Sequence, residues 1–312
     1  MRFHRNGLPR PIPTIRTVLA LTVAAATLAA PLAAQDTEER SLPLWEVTHE
    51  DATVYLIGSV HMLRPEVYPL PEPLTAAFRD ADRVAFELDF AELDAAGPEM
   101  LSRGSYGDGR TLADDIPEDL YEEIREHLEA RGLPPAAFSN MKPWMVALTL
   151  SALVVQQGGF EVDAGLDMHF YEKAQEAGTE VVALETVDEQ IQVFDGLGRE
   201  AQVAYLRSTV EEVDEMVDQM DELTALWEAG DTEGLADALT ESLGEHPELQ
   251  ERILFQRNEA WVSDIHSFLE EGGTTTVIVG AGHLVGPGSV VDLLEKEGRE
   301  VLQKTAETGG RR

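Results

Sequence analysis

Two histidines stand in the same short context near opposite ends of the chain. Val54-Tyr55-Leu56-Ile57-Gly58-Ser59-Val60-His61-Met62 aligns without gaps on Thr276-Val277-Ile278-Val279-Gly280-Ala281-Gly282-His283-Leu284. Each is an apolar run of strand type, then glycine, two small or apolar residues, and histidine. Glycine lets a chain turn sharply as it leaves a strand and lets another backbone or a ligand come close. The imidazole then falls just past the carboxyl end of its strand, where open α/β sheets hold their ligands. Two acids occupy comparable places: Glu87 follows the apolar residues 84–86, and Glu185 follows residues 181–184. If these strands are neighbours in one sheet, two imidazoles and two carboxylates share one rim. That set suits zinc, manganese or a similar divalent ion. Such an ion polarises a carbonyl and lowers the pKa of bound water, while a spare carboxylate serves as general base. The bland alternative is that each histidine only caps or packs, and that Glu185 merely precedes the capping box of Thr186 and Glu189.

The elements that must position these groups can be read from periodicity and punctuation. Strands are expected at residues 44–48 and 53–57, joined around His49-Glu50-Asp51 as a hairpin. Further strands are expected at 83–88, 180–184, 275–279 and 299–302. Helices are expected at 70–80, 117–130, 165–177 and 288–297, with a buried helix at 144–155 and a loop at 97–111. Val210, Val213, Val217, Met220, Leu223 and Leu226 recur at three- and four-residue steps, which predicts a long amphipathic helix. Another helix is expected over 248–269. Strands alternating with helices predict an α/β (mixed α+β) domain over residues 42–303, with a central, mostly parallel sheet, flanking helices and a helical insertion at about 200–245. Residues 304–312 are expected to fray.

Charge excludes one class of partner. The chain has 23 Lys and Arg against 59 Asp and Glu, a formal net charge of −36. Such a surface repels phosphate backbones, so nucleic acid is not an expected partner. Adaptation to salt would produce the same composition without any function. Arg2, Arg5, Arg10 and Arg16 lead into an apolar run at 18–30, followed by Pro31-Leu32-Ala33-Ala34. This pattern predicts a signal peptide over residues 1–34, export to the periplasm or beyond, and no stable membrane anchor after cleavage. Cysteine is absent, so neither disulfides nor a thiol nucleophile enter the chemistry.

Several further motifs resemble one known family. Trp45, the run ending in His61 and Phe86-Glu87-Leu88-Asp89 look like the amino-terminal signature of the TraB/GumN family, which includes the Tiki proteins. Lys142-Pro143-Trp144, Gly165-Leu166-Asp167, Leu184-Glu185-Thr186 with Gln190, Arg257-Asn258 and the run ending in His283-Leu284 extend the resemblance. It implies a metal-dependent hydrolase, a peptidase with Mn or Co favoured among Tiki members, acting on a peptide or protein substrate. By the same resemblance His61 and His283 are the motif histidines, Glu87 is the motif acid, and Glu185 and Arg257 are site residues. The donor set itself suggests that His61, Glu87 and His283 hold the ion, Mn, Co or Zn. In that mechanism Glu185 binds the ion or takes the proton. Arg257 stabilises an oxyanion or holds a substrate carboxylate, with a structural ion pair as the alternative. Asn258 contacts substrate or packs locally, and Asp167 either belongs to the family motif or simply anchors its helix. His127, His169, His246 and His266 are expected to be structural or solvated. Two other readings stay open: a non-catalytic binding protein for metal, haem or peptide, and an esterase-like hydrolase that needs no metal.

Overall fold

The computed structural model describes residues 39–244 and 246–307; the expected signal peptide lies outside them. Six strands form one sheet: β1 (Glu39–His49), β2 (Ala52–Ser59), β3 (Arg83–Phe86), β4 (Glu180–Ala183), β5 (Thr274–Gly280) and β6 (Val301–Glu307). Their order is β4-β3-β5-β2-β1-β6. The β2, β5, β3 and β4 strands run parallel, while β1 pairs antiparallel with both β2 and β6. This is the mixed, largely parallel sheet with flanking helices that the alternating pattern predicts. The hairpin turn holds Glu50 at φ 52°, and β1 and β2 then pair from His49↔Ala52 to Leu44↔Ile57. Val277, Ile278 and Val279 of β5 are buried, as are Val84, Ala85 and Phe86 of β3. Strands apolar on both faces belong inside a parallel sheet covered by helices.

Four expectations need correction. Residues 304–307 do not fray: they prolong the strand expected at 299–302, and β6 pairs with β1 from Val47↔Val301 to Glu39↔Glu307, across a bulge between Ser41 and Trp45. The loop expected at 97–111 begins as a helix, Leu93–Arg103, with Pro98 inside it. Its last residue is tied far along the chain, where Arg103 donates to Asp188, to Gln192 at 2.6 Å and to Asp195 at 3.4 Å. The long amphipathic helix is broken into Arg199–Glu211, Met216–Ala229 and Thr232–Gly244. The segment passes from one core to another: Val210 and Val213, with Met216 and Val217 against them, belong to a separate helical core, whereas Trp227 and Leu235 belong to the core under the sheet. That separate core draws on Leu112, Leu120, Ile124, Leu128, Val146 and Leu150, so the helical part extends well beyond residues 200–245. The expected buried helix is Pro143–Gln157, and no helix among the described residues is long and apolar enough to cross a membrane.

Lys142-Pro143-Trp144 has a structural role at the start of that helix. Lys142 Nζ and Trp144 Nε1 both donate to Asp195 Oδ1, at 2.6 and 3.2 Å. The last helix before β5 also departs from regularity. Pro247–Gln250 and Gln256–Glu271 are joined by a π-helical turn at Glu251–Phe255. Wide turns of this kind cluster at functional sites, and this one ends two residues before Arg257.

Candidate metal and catalytic site

The parallel register sets the site. β2 and β5 are direct neighbours, with Ile57 opposite Ile278 and Ser59 opposite Gly280. The two glycine–histidine motifs therefore leave adjacent strands at the same end, one residue out of step. On the other side of β5, β3 pairs Phe86 with Ile278. On its outer edge the β3–β4 ladder continues past the strands, with Glu185 N–H donating to the Glu87 carbonyl at 3.0 Å. Along one rim the order is thus Glu185, Glu87, His283, His61. Sequence reasoning named these four residues, and the fold brings them together.

Glu87 is the hub. Its Oε1 accepts from the Gly280 N–H at 2.7 Å and lies 3.9 Å from His61 Nε2 and 4.0 Å from His283 Nε2. Its Oε2 accepts from Arg257 Nη2 at 2.7 Å and from Gln190 Nε2 at 3.3 Å. Burial by itself would raise the Glu87 carboxyl, but His61, His283, Arg257 and the Gly280 N–H outweigh it and hold the group down at about 2. Glu185 gives both oxygens to Arg257 Nε, at 2.7 and 3.0 Å. Burial pushes its carboxyl up, with Arg257 opposing. Arg257 is nearly saturated, because Nη1 also reaches the Ile253 carbonyl at 3.0 Å and His283 Nε2 at 3.0 Å. Its guanidinium carbon lies 4.7 Å from the centre of the Trp261 ring.

The two histidines are held alike and yet differ. His283 is buried against Trp261, ring centroids 4.4 Å apart, and its Nδ1 donates to Asn258 Oδ1 at 2.7 Å. Asn258 Nδ2 donates in turn to the Gly288 carbonyl at 2.8 Å. Asn258 is only 1% exposed and both ends of its amide are engaged, so the expected substrate contact is corrected to a residue that orients His283. His61 is open, its side chain 62% exposed, and its Nδ1 lies 2.9 Å from Asp167 Oδ2. The Asp167 carboxylate raises the His61 imidazole above its ordinary range. Asp167 also accepts from Ser59 Oγ at 2.6 Å. Sequence reasoning treated Asp167 as a helix anchor and gave Ser59 no role. The available signal was Gly165-Leu166-Asp167 itself, because a Cβ on Gly165 would fall 2.2 Å from the His61 carbonyl oxygen. Gly165→Ala should therefore cost roughly 1–3 kcal/mol of stability and loosen His61, as chemical denaturation and histidine NMR would show.

His283 also predicts a pH effect. Burial drives its imidazole down to about 3, below the value it regains on unfolding, so the unfolded chain binds the extra proton. Stability from this residue is therefore intact above about pH 6.5 and is lost as pH falls towards 3, by up to ~1.4 kcal/mol per pH unit. His283→Gln should show a shallower fall in unfolding free energy between pH 6.5 and 5 than the parent chain, measured with chelator present. Equal slopes would remove this term. The four histidines expected to be structural or solvated serve locally: His246 meets Ser208 Oγ at 2.8 Å, His127 meets Arg131 at 3.1 Å, and His266 pairs with Glu297. His169 lies 4.5 Å from the Tyr68 ring.

The donor types fit a divalent ion, but the site is not arranged to grip one. Among the described residues no group of three or more His, Cys, Asp or Glu side chains stands close enough to hold a metal. What fits is the chemistry: two imidazole Nε2 atoms face one carboxylate oxygen. A Cβ built on Gly280 would enter the space between them, 3.3 Å from His61 Nε2, 3.4 Å from Glu87 Oε1 and 3.6 Å from His283 Cδ2. Arg257 Nη1 occupies the His283 lone pair, so an ion would have to displace that bond.

Comparison with known proteins finds relatives along most of the chain. The Escherichia coli protein YbaP, itself uncharacterized, is 24% identical over 240 residues, covering 77% of this chain and 87% of YbaP. Metalloprotease TIKI2 of Danio rerio is 25% identical over 301 residues, covering 79% of this chain and 57% of TIKI2. Human metalloprotease TIKI1 is 24% identical over 314 residues, with 83% and 61% covered. The chain thus spans only about three-fifths of these Tiki proteins. No solved structure matches it. The model of the TraB/PrgY/gumN family matches residues 43–303, and the chain belongs to that family.

Proposed function

We propose that the protein is an exported, metal-dependent hydrolase that cleaves peptide bonds, with His61, Glu87 and His283 holding the ion. The observation that carries this reading is the position of Glu87 Oε1, 3.9 and 4.0 Å from the Nε2 atoms of both motif histidines. The metalloprotease names of relatives at 24–25% identity support it. A divalent ion held there would supply Lewis acidity towards a carbonyl and lower the pKa of water. His61 is the exposed member of the set, so the substrate approaches from its side. Arg257 offers a guanidinium donor 3.0 Å from His283 Nε2, placed to stabilise negative charge that develops on a carbonyl oxygen. Glu185 and Glu87 keep that guanidinium in place, which makes Glu185 a holder of Arg257 before it is a base. Mn, Co and Zn all suit the donor set.

One observation favours a second reading, hydrolysis without metal. Arg257 already sits on the His283 lone pair, and a cationic donor there can polarise a carbonyl by itself. The deciding experiment is elemental analysis of the purified protein beside His61→Ala and His283→Ala, with cleavage of a mixed peptide library followed by mass spectrometry with and without EDTA. Stoichiometric metal in the parent, lost in both variants, with EDTA-sensitive cleavage, is the expected result. Folded variants with unchanged metal content would overturn the ligand assignment, and EDTA-resistant hydrolysis would favour the second reading.

A further inference from the structure

We infer that Asp167 is a positioning residue that fixes which nitrogen of His61 faces the pocket. Ionised Asp167 can only accept hydrogen bonds, so at 2.9 Å it holds the proton on His61 Nδ1 and turns Nε2 towards Glu87 Oε1 at 3.9 Å. Asp167 is itself aimed: it is 5% exposed, and its other oxygen accepts from Ser59 Oγ at 2.6 Å. The helix that carries it, Leu166–Ala177, is seated on the same stretch of backbone, with Leu166 N–H donating to the Val60 carbonyl at 3.1 Å.

The second motif histidine shows why a carboxylate is needed here. His283 receives the same service from the neutral amide of Asn258, but its side chain is 6% exposed and packed on Trp261. Packing already limits its rotation. The His61 side chain is 62% exposed, so water competes for its ring and little packing restrains it. A charge-assisted acceptor is about twice as strong as a neutral one, which offsets the missing packing.

This inference bears on metal binding only through the function proposed above; its statement about the His61 proton stands apart from it. The test uses chelator-treated protein, with the His61→Gln variant to assign the ring signals. Proton NMR should show a strongly downfield Nδ1–H resonance from His61 that vanishes in Asp167→Ala. Cobalt(II) titration followed by absorbance should then show affinity falling on the order of 10–100-fold in Asp167→Ala, with Asp167→Asn in between. A downfield resonance that is absent from the parent, or unchanged in Asp167→Ala, overturns the inference. Loss of that resonance in a protein that binds no cobalt supports the positioning role and sinks the metal reading. If Asp167→Ala does not fold, Asp167→Asn decides: an upfield shift of the His61 resonance supports the inference, and no shift overturns it.

Discussion

Gly280→Ala is expected to abolish function while leaving the fold intact. Gly280 has φ −49° and ψ 134°, a conformation open to any L-residue, so alanine meets no backbone strain there. Its methyl carbon would stand 3.3 to 3.6 Å from His61, Glu87 and His283 atoms, contacts tight enough to require only small shifts. The stability cost should be about 1 kcal/mol, the low end for an added core methyl. The Gly280 N–H that donates to Glu87 is retained. The methyl group nevertheless occupies the space between both imidazoles and the carboxylate, where the proposed ion and the reacting carbonyl would sit. Because a displacement of about 1 Å can cost on the order of 100-fold in rate, cleavage and metal affinity should each drop by at least about that factor. Thermal unfolding, elemental analysis and peptide cleavage on the same preparation check it. A variant that keeps its metal and its rate would place the chemistry elsewhere.

Arg257→Ala should have the largest effect on stability. Its guanidinium is the cation bonded to both Glu87 and Glu185, and all three side chains are about nine-tenths buried. Removing one member of a buried ion pair typically costs about 3–5 kcal/mol, since the remaining charge is left unpaired; here two carboxylates are left. Arg257→Lys should fall between the two, because a single ammonium cannot reproduce the fork that spans Glu185, Glu87 and His283. The variant also exposes the His283 Nε2 lone pair. Divalent ions should therefore raise the melting temperature of Arg257→Ala more than that of the parent, by the ordinary linkage of binding to folding. Equal metal-induced shifts in both proteins would show that arginine and ion do not compete.

How much of this was legible in the sequence depends on the range of the interaction. The strand–glycine–histidine repeat and the strand before Glu87 could be read because a parallel strand buried on both faces announces itself as an apolar run, while the half-buried edge strand before Glu185 showed as the short run Val181-Val182-Ala183-Leu184. The helix at Glu118–Ala130 was legible from its period and its opening proline. The helix around Pro98, the continuation of the last strand from Gln303 to Glu307 and the break after Glu211 were not. Each depends on partners distant in the chain: Arg103 on Asp188 and Asp195, β6 on β1, and Val213 on the helical core.

The site divides in the same way. Which side chains lie just past a strand end was readable without the fold, since glycine punctuation and side-chain chemistry are local properties. Tertiary structure decided that β2 and β5 are neighbours, that Arg257 bridges Glu87 to Glu185, and that Asn258 turns inward to His283 while Asp167 meets His61. Hydrogen bonds and ion pairs form between whatever the sheet order brings within about 3 Å, and sheet order is set by burial of the whole chain. Residue types therefore foretold a set of candidate groups, and only the packed fold assigned each of them its partner.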